Sequence, residues 1–230
     1  MKTHRRIFVF SFVLALLLSA FSAMAQPEDR SYIRDMVDAM GGRNVAITKT
    51  NGDLMLYDKN GWAANGCPEG LTNALKELET DDEFIDDVQL TENGSWLILY
   101  GNNGLVYEGI PEDLEEVLTE YNKNNAVIHS ITFNDDGDWI VITSDEVVSS
   151  DSDLTDYLIE SQDEYGSLWT ACITDDGMVA VFKNGYQFLG EVPSGLRKAL
   201  SETEIDVYRL KIAGESWFFS DGEEENDYDM

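Results

Sequence analysis

The chain has 230 residues, with 45 acidic side chains against 15 Lys and Arg, for a formal net charge of −30. A field of that sign repels nucleic-acid phosphates and anionic lipid, which excludes both as expected partners. Aromatic residues make up 11% of the chain and hydrophobic residues 43%, enough apolar surface to bury a core, so disorder is excluded as well.

In chain order, residues 1–25 read as a secretory signal peptide. Lys2, Arg5 and Arg6 form a positive n-region, Ile7 to Leu18 an apolar stretch, and Ala23-Met24-Ala25 a small-x-small cleavage site. The apolar stretch is short for a retained span. No cysteine sits at the cut to carry a lipid, and no later segment is apolar enough to enter a membrane. A secreted or periplasmic protein is expected. Cleavage removes three cations and no carboxylate, which takes the net charge from −30 to −33. The acidity is expected to keep the protein soluble rather than to mark a site.

Residues 28–40 follow as a helix with Ile33, Met36, Val37 and Met40 on one face. A repeat then begins. Leu90 to Leu99, with Asn93-Gly94-Ser95-Trp96 at its centre, is echoed by Phe133 to Ile142, with Asp136-Gly137-Asp138-Trp139. Weaker copies surround Gly52, Gly177 and Gly214, so the turn glycines recur about every 40 residues. A second signature follows three of these hairpins: Asn60-Gly61, Asn103-Gly104 and Asn184-Gly185. Each leads to a proline and, three residues on, a leucine: Pro68 and Leu71, Pro111 and Leu114, Pro193 and Leu196.

Asn-Gly and Asp-Gly supply the positive φ angles that two-residue primed turns need, and β-branched and aromatic runs flank them. Each proline suits the first turn of a helix, where no N–H is missed. Leu114, Val117, Leu118 and Tyr121 then recur at helical spacing, as do Leu71, Leu75 and Leu78. The unit is strand-strand-strand-helix, and the fold class is α+β with about five tandem units.

The domain is expected to span 26–222, with units starting near 44, 85, 128, 168 and 207. Residues 223–230 read as an acidic disordered tail. In the third unit Ser144-Asp145-Glu146-Val147 stands where Asn-Gly belongs, and no proline precedes Leu154. The last unit stops without a helix, so the N-terminal helix could complete it and close a propeller-like ring with outer helices. An open array explains the same ends. Closure is preferred because it hides sheet edges.

This Gly-Trp hairpin, Asn-Gly, Gly-x-Pro and Leu-rich helix resembles a repeat of uncharacterised exported bacterial proteins, over nearly the whole chain after the leader. The resemblance implies an architecture and no activity. A looser likeness is to five-fold α/β-propellers, some of which act on guanidino groups, but no motif here aligns with their site residues.

Candidate chemistry is sparse. After the leader there is one histidine, His129, which excludes a multi-His zinc site. Repeat alignment sets Cys172 opposite Thr132, three places beyond His129, on the order of 10 Å away on neighbouring strands, too far for a Cys–His dyad. No Gly-x-Ser-x-Gly elbow or phosphate loop occurs. Asp135-Asp136-Gly137-Asp138 lacks calcium-loop spacing and reads as turn chemistry. Asp81-Asp82-Glu83 with Asp86-Asp87 reads as a solvated helix-to-strand connection. Whether Cys67 and Cys172 form a disulfide is open. No catalytic residue, metal ligand or cofactor is expected.

Residues on the strand after the second turn alternate in face. Trp62, Tyr107, Tyr186 and Phe188 are therefore candidate ligand-binding aromatics, with core packing the competing role. The expectation is a non-enzymatic binding protein outside the cytoplasm, its partner a protein, peptide or glycan. Two alternatives stand beside it: a hydrolase-like enzyme with a carboxylate site in a central channel, and a cation-dependent envelope component.

Overall fold

A computed structural model describes residues 30–50 and 52–230; the expected signal peptide lies outside the described residues. Helix α1 (Ser31–Met40) comes first. Five units follow, each a separate three-stranded antiparallel sheet. The first holds β1 (Asn44–Ile47), β2 (Asp53–Tyr57) and β3 (Gly61–Asn65), then α2 (Glu69–Thr80). The second holds β4 (Ile85–Leu90), β5 (Trp96–Tyr100) and β6 (Gly104–Glu108), then α3 (Glu112–Asn124). The third holds β7 (Ile128–Phe133), β8 (Trp139–Thr143) and β9 (Val147–Ser149), then α4 (Ser152–Tyr165). The fourth holds β10 (Leu168–Ile173), β11 (Gly177–Phe182) and β12 (Gly185–Gly190), then α5 (Ser194–Glu202). The fifth holds β13 (Arg209–Ala213), β14 (Ser216–Ser220) and β15 (Asn226–Asp229).

The apolar spacing explains how units stack. Leu114, Leu118 and Tyr121 of α3 are buried on one stripe. They meet Leu97 and Leu99 of the second sheet on one side, and Ile131, Phe133 and Val141 of the third on the other. Each helix thus fills a slot between two sheets, burying side chains worth about 1.5–3 kcal/mol apiece. Helices α2, α4 and α5 repeat the arrangement. Helix α1 does so with different neighbours: Ile33 and Val37 pack with Val45 and Met55 of the first sheet and with Ala213 and Phe218 of the fifth. The first strands lie against one another, β1 on both β4 and β13, and β10 on both β7 and β13.

Three local details differ from the sequence expectation. Gly94 does take a positive φ of 87°, but as the last residue of a three-residue loop closed by a Thr91 N–H bond to the Ser95 carbonyl. Gly104 has no positive φ; a Cβ there would lie 2.3 Å from the Tyr100 ring, so the glycine makes room for an aromatic face. The prolines sit one place ahead of their helices; Pro111 has an extended ψ of 141°. In α4, which lacks the proline, the Asp151 side chain caps the helix by accepting from Asp153 N at 2.8 Å.

The acidic C-terminus is a further difference. Residues 226–229 form β15 on β14 rather than a disordered tail. The strand is stable because alternation sends Asp227 and Asp229 outward while the Tyr228 ring stacks on Phe218, 6.4 Å between centroids. Asp221 Oδ1 accepts N–H bonds from Glu223, Glu224 and Glu225 and shapes the turn before it.

Candidate functional site

The first strands of the second to fifth units run between two depressions, and the two differ in chemistry. At the hairpin end a hollow of about 410 Å³ takes residues from all five units, among them Lys49, Glu92, Asp135, Asp175 and Glu215. Glu92, Asp135 and Asp176 among its carboxylates are engaged with the turns of other units. Glu92 accepts from Thr50 N at 3.0 Å, from Thr50 Oγ1 at 2.8 Å, and from Lys49 N. Asp135 Oδ1 accepts from Asn93 N at 3.2 Å. Lys49 pairs with Asp176 at 3.1 Å. Burial, then the nearby Asp135 charge, pushes the Asp175 carboxyl above the ordinary carboxylate value. These acids tie one unit's turn to the next.

Between the two ends the strands enclose a polar axis. Asp87 Oδ1 accepts from Lys211 Nζ at 2.7 Å and from Asn44 at 2.8 Å, while Oδ2 accepts from Gln89 at 2.8 Å. Lys211 and Asp87 are 6% and 3% exposed. Burial pushes the Asp87 carboxyl up, but the Lys211 and Arg209 charges with these hydrogen bonds outweigh it, leaving it below the ordinary value. Ser130 and Thr170 meet at 3.2 Å in the same layer. Cys172 is buried beside them, and burial raises its thiol to about 11, which keeps it protonated and unreactive.

At the other end lies a depression of about 510 Å³. Its architecture comes from β-bulges. In β4, β7 and β10 the register skips one residue, and the three skipped residues are Asp86, His129 and Trp169. A bulge turns the extra side chain out of the alternation, and all three line the depression. Tyr208, just before β13, supplies a fourth, its ring tilted against Trp169 at 4.8 Å. Phe84 stands on the rim with the Arg43 guanidinium 4.6 Å from its centroid. Burial holds Arg43 down at about 10. Arg209 is turned inward, bonded to Asp86 Oδ1 at 2.6 Å and to the Tyr208 and His129 carbonyls. The irregular turn of the third unit completes the wall: Thr143 Oγ1 accepts from Asp145 N and Glu146 N, presenting both carboxylates to the depression.

The four aromatics singled out from sequence sit elsewhere. Trp62 packs on the α2 cluster and donates to Glu79 at 3.2 Å. Tyr107 packs by α3 and donates to Glu115 at 3.0 Å. Tyr186 and Phe188 meet edge-on at 5.2 Å beside α5, with Arg197 over Phe188. Only this last pair is brought together. The aromatics at the mouth, Phe84, Trp169 and Tyr208, were not foreseen, and Asp86 and Asp87 are site and axis residues rather than a solvated connection. A repeat alignment carried into the strand starts contains the signal: Asp87, Ser130 and Thr170 are polar where a buried strand would be apolar.

No disulfide joins Cys67 to Cys172, and Cys67 Sγ donates to the Asp53 carbonyl at 3.3 Å. Among the described residues no group of three or more His, Cys, Asp or Glu is placed to hold a metal ion. No model of a known family matches the chain, and no curated protein matches it either.

Proposed function

We propose that the chain is a non-enzymatic binding protein of the periplasm or extracellular space, folded as a closed ring of five units, with its binding site at the aromatic mouth. Closure is supported by the cluster in which α1 joins the first and fifth sheets. Arg30 bonds both Asp53 at 3.1 Å and Ser216 at 2.6 Å, and Asn226 reaches the Gly42 carbonyl at 2.8 Å. Export rests on the leader pattern of residues 1–25.

The observation that carries the binding assignment is the convergence of Asp86, His129, Trp169 and Tyr208 from four units on one depression. Three of them sit on β-bulges, which re-aim a side chain at a cost in ladder hydrogen bonds. Tyr208 and Phe84 each remain 38% exposed there. A concave site of several hundred Å³ with aromatic walls and a few polar groups suits one protruding group of a protein, peptide or glycan partner. Calorimetric titration of the full chain against candidate partners, repeated with Trp169→Ala plus Tyr208→Ala, tests the assignment. Binding that the double variant loses supports it, and binding that the variant keeps refutes it.

A further inference from the structure

We infer that the group taken into the mouth is an organic ammonium, recognised by the Trp169, Tyr208 and Phe84 rings under a rim of carboxylates; the inference rests on the proposed binding site. Arg43 stands over Phe84, and the depression itself is lined by five carboxylates, Asp86, Asp145, Glu146, Asp221 and Glu223, against a single guanidinium. That guanidinium, Arg209, is held by Asp86 and two carbonyls, so its charge is answered inside the wall. Asp221 is similarly spent on its own turn. What remains at the depression is negative: Asp145 and Glu223, and Glu146, which also accepts from the Tyr121 hydroxyl.

Aromatic faces beneath a negative rim attract a soft cation. The face of each ring carries negative quadrupole, and a desolvated ammonium over Trp or Tyr gains up to about 2 kcal/mol, or roughly thirtyfold in affinity. Phe84 already receives the Arg43 guanidinium in this manner at 4.6 Å. Trp169 and Tyr208, 4.8 Å between centroids and tilted by 39°, touch each other and together offer one aromatic surface to the depression. A small metal ion gains little there, because hard cations need several oxygen ligands at close range. An alkylated nitrogen offers apolar surface to the rings and charge to the rim.

The third unit gives independent support. Its turn, like that of the fifth unit, departs from the Asn-Gly of the other three, and the replacement puts Asp145 and Glu146 at the mouth. The equivalent turn in the second unit has Asn102 and Asn103, and Asn103 is used to bond Ile128 N and the Ala126 carbonyl of its neighbour.

The test is calorimetric titration of the full chain with choline, with 3,3-dimethylbutanol (the same shape with carbon in place of the charged nitrogen), with a trimethyllysine peptide, and with a neutral disaccharide. The expected result is choline binding at least tenfold tighter than the neutral isostere, weakened about tenfold by Trp169→Ala and severalfold by Asp145→Asn plus Glu146→Gln. Tighter binding of the peptide than of choline would place the ammonium on a chain rather than on a free molecule. Equal affinity for the isostere would overturn the inference. Disaccharide binding that depends on Trp169, without choline binding, would overturn it while leaving the mouth a binding site. No Trp169-dependent binding of any probe would remove both.

Discussion

The two ends of the first strands carry similar charge and use it differently. At the hairpin end Glu92 and Asp135 accept backbone N–H bonds from the preceding unit's turn, so acidity there is consumed in holding units together. At the mouth end three units throw out a bulge residue, Asp86, His129 and Trp169, and the fifth adds Tyr208 just before β13, four different side chains. The hairpin end carries a carboxylate in four of the five units, whereas the mouth end is diversified, which is the pattern expected if assembly and the proposed recognition are separate. The acidic composition alone could not distinguish the two uses.

Substitutions can break or sharpen that contrast. The largest loss should come from the axis that both ends share. Lys211→Met leaves the Asp87 carboxylate buried without its cation and should cost about 3–5 kcal/mol in chemical denaturation. Adding Asp87→Leu should restore much of it, since no charge is then stranded. Ile33→Ala in α1 comes next, at about 2–5 kcal/mol, and should match Leu118→Ala in α3, because both helices fill equivalent slots.

At the hairpin end Glu92→Ala should cost about 1 kcal/mol by removing the hydrogen bonds from Lys49 and Thr50, whose exposed donors water then solvates. Asp145→Ala at the mouth should leave stability within about 0.5 kcal/mol of the native protein, as its side chain ties nothing together. If the two substitutions cost the same, the separation of roles fails.

Acid titration gives the smallest effects, with opposite signs. Asp87 ionises below the ordinary carboxylate value, so its contribution is complete above about 3.8, its unfolded value, and is lost as pH falls through the folded value. Asp175 ionises above it, so its charge opposes folding at neutral pH and the penalty is relieved as pH falls through its folded value. Asp175→Asn should therefore be slightly more stabilising at pH 7 than at pH 4, measured by thermal melts in low salt. The effect is small because the side chain is exposed and screened.

Much of the architecture was legible in the sequence. The recurrence of Gly52, Gly94, Gly137, Gly177 and Gly214 gave the units, and the Leu114, Leu118, Tyr121 spacing gave helix faces that the structure buries. The mouth was not legible, for a physical reason. Alternation assigns faces only while the register is unbroken, and the bulges at Asp86, His129 and Trp169 shift it by one residue where the site begins. Trp62 and Tyr107 attracted attention because they follow a regular turn, yet regularity there reflects packing on α2 and α3. The Asp135 bond to Asn93 joins residues 42 apart, a pairing no local pattern encodes.

The hairpin-end depression draws on the first and fifth units and the mouth sets the second unit against the fifth, so the account depends on closure through α1. Amide hydrogen exchange across the first strands tests this most directly. A closed ring predicts that β1 and β13 amides open with the same free energy as those of β7, because each strand has a neighbour on both sides. Protection that falls steadily from β7 toward β1 and β13 would mean an open array with fraying ends, and would contradict the account.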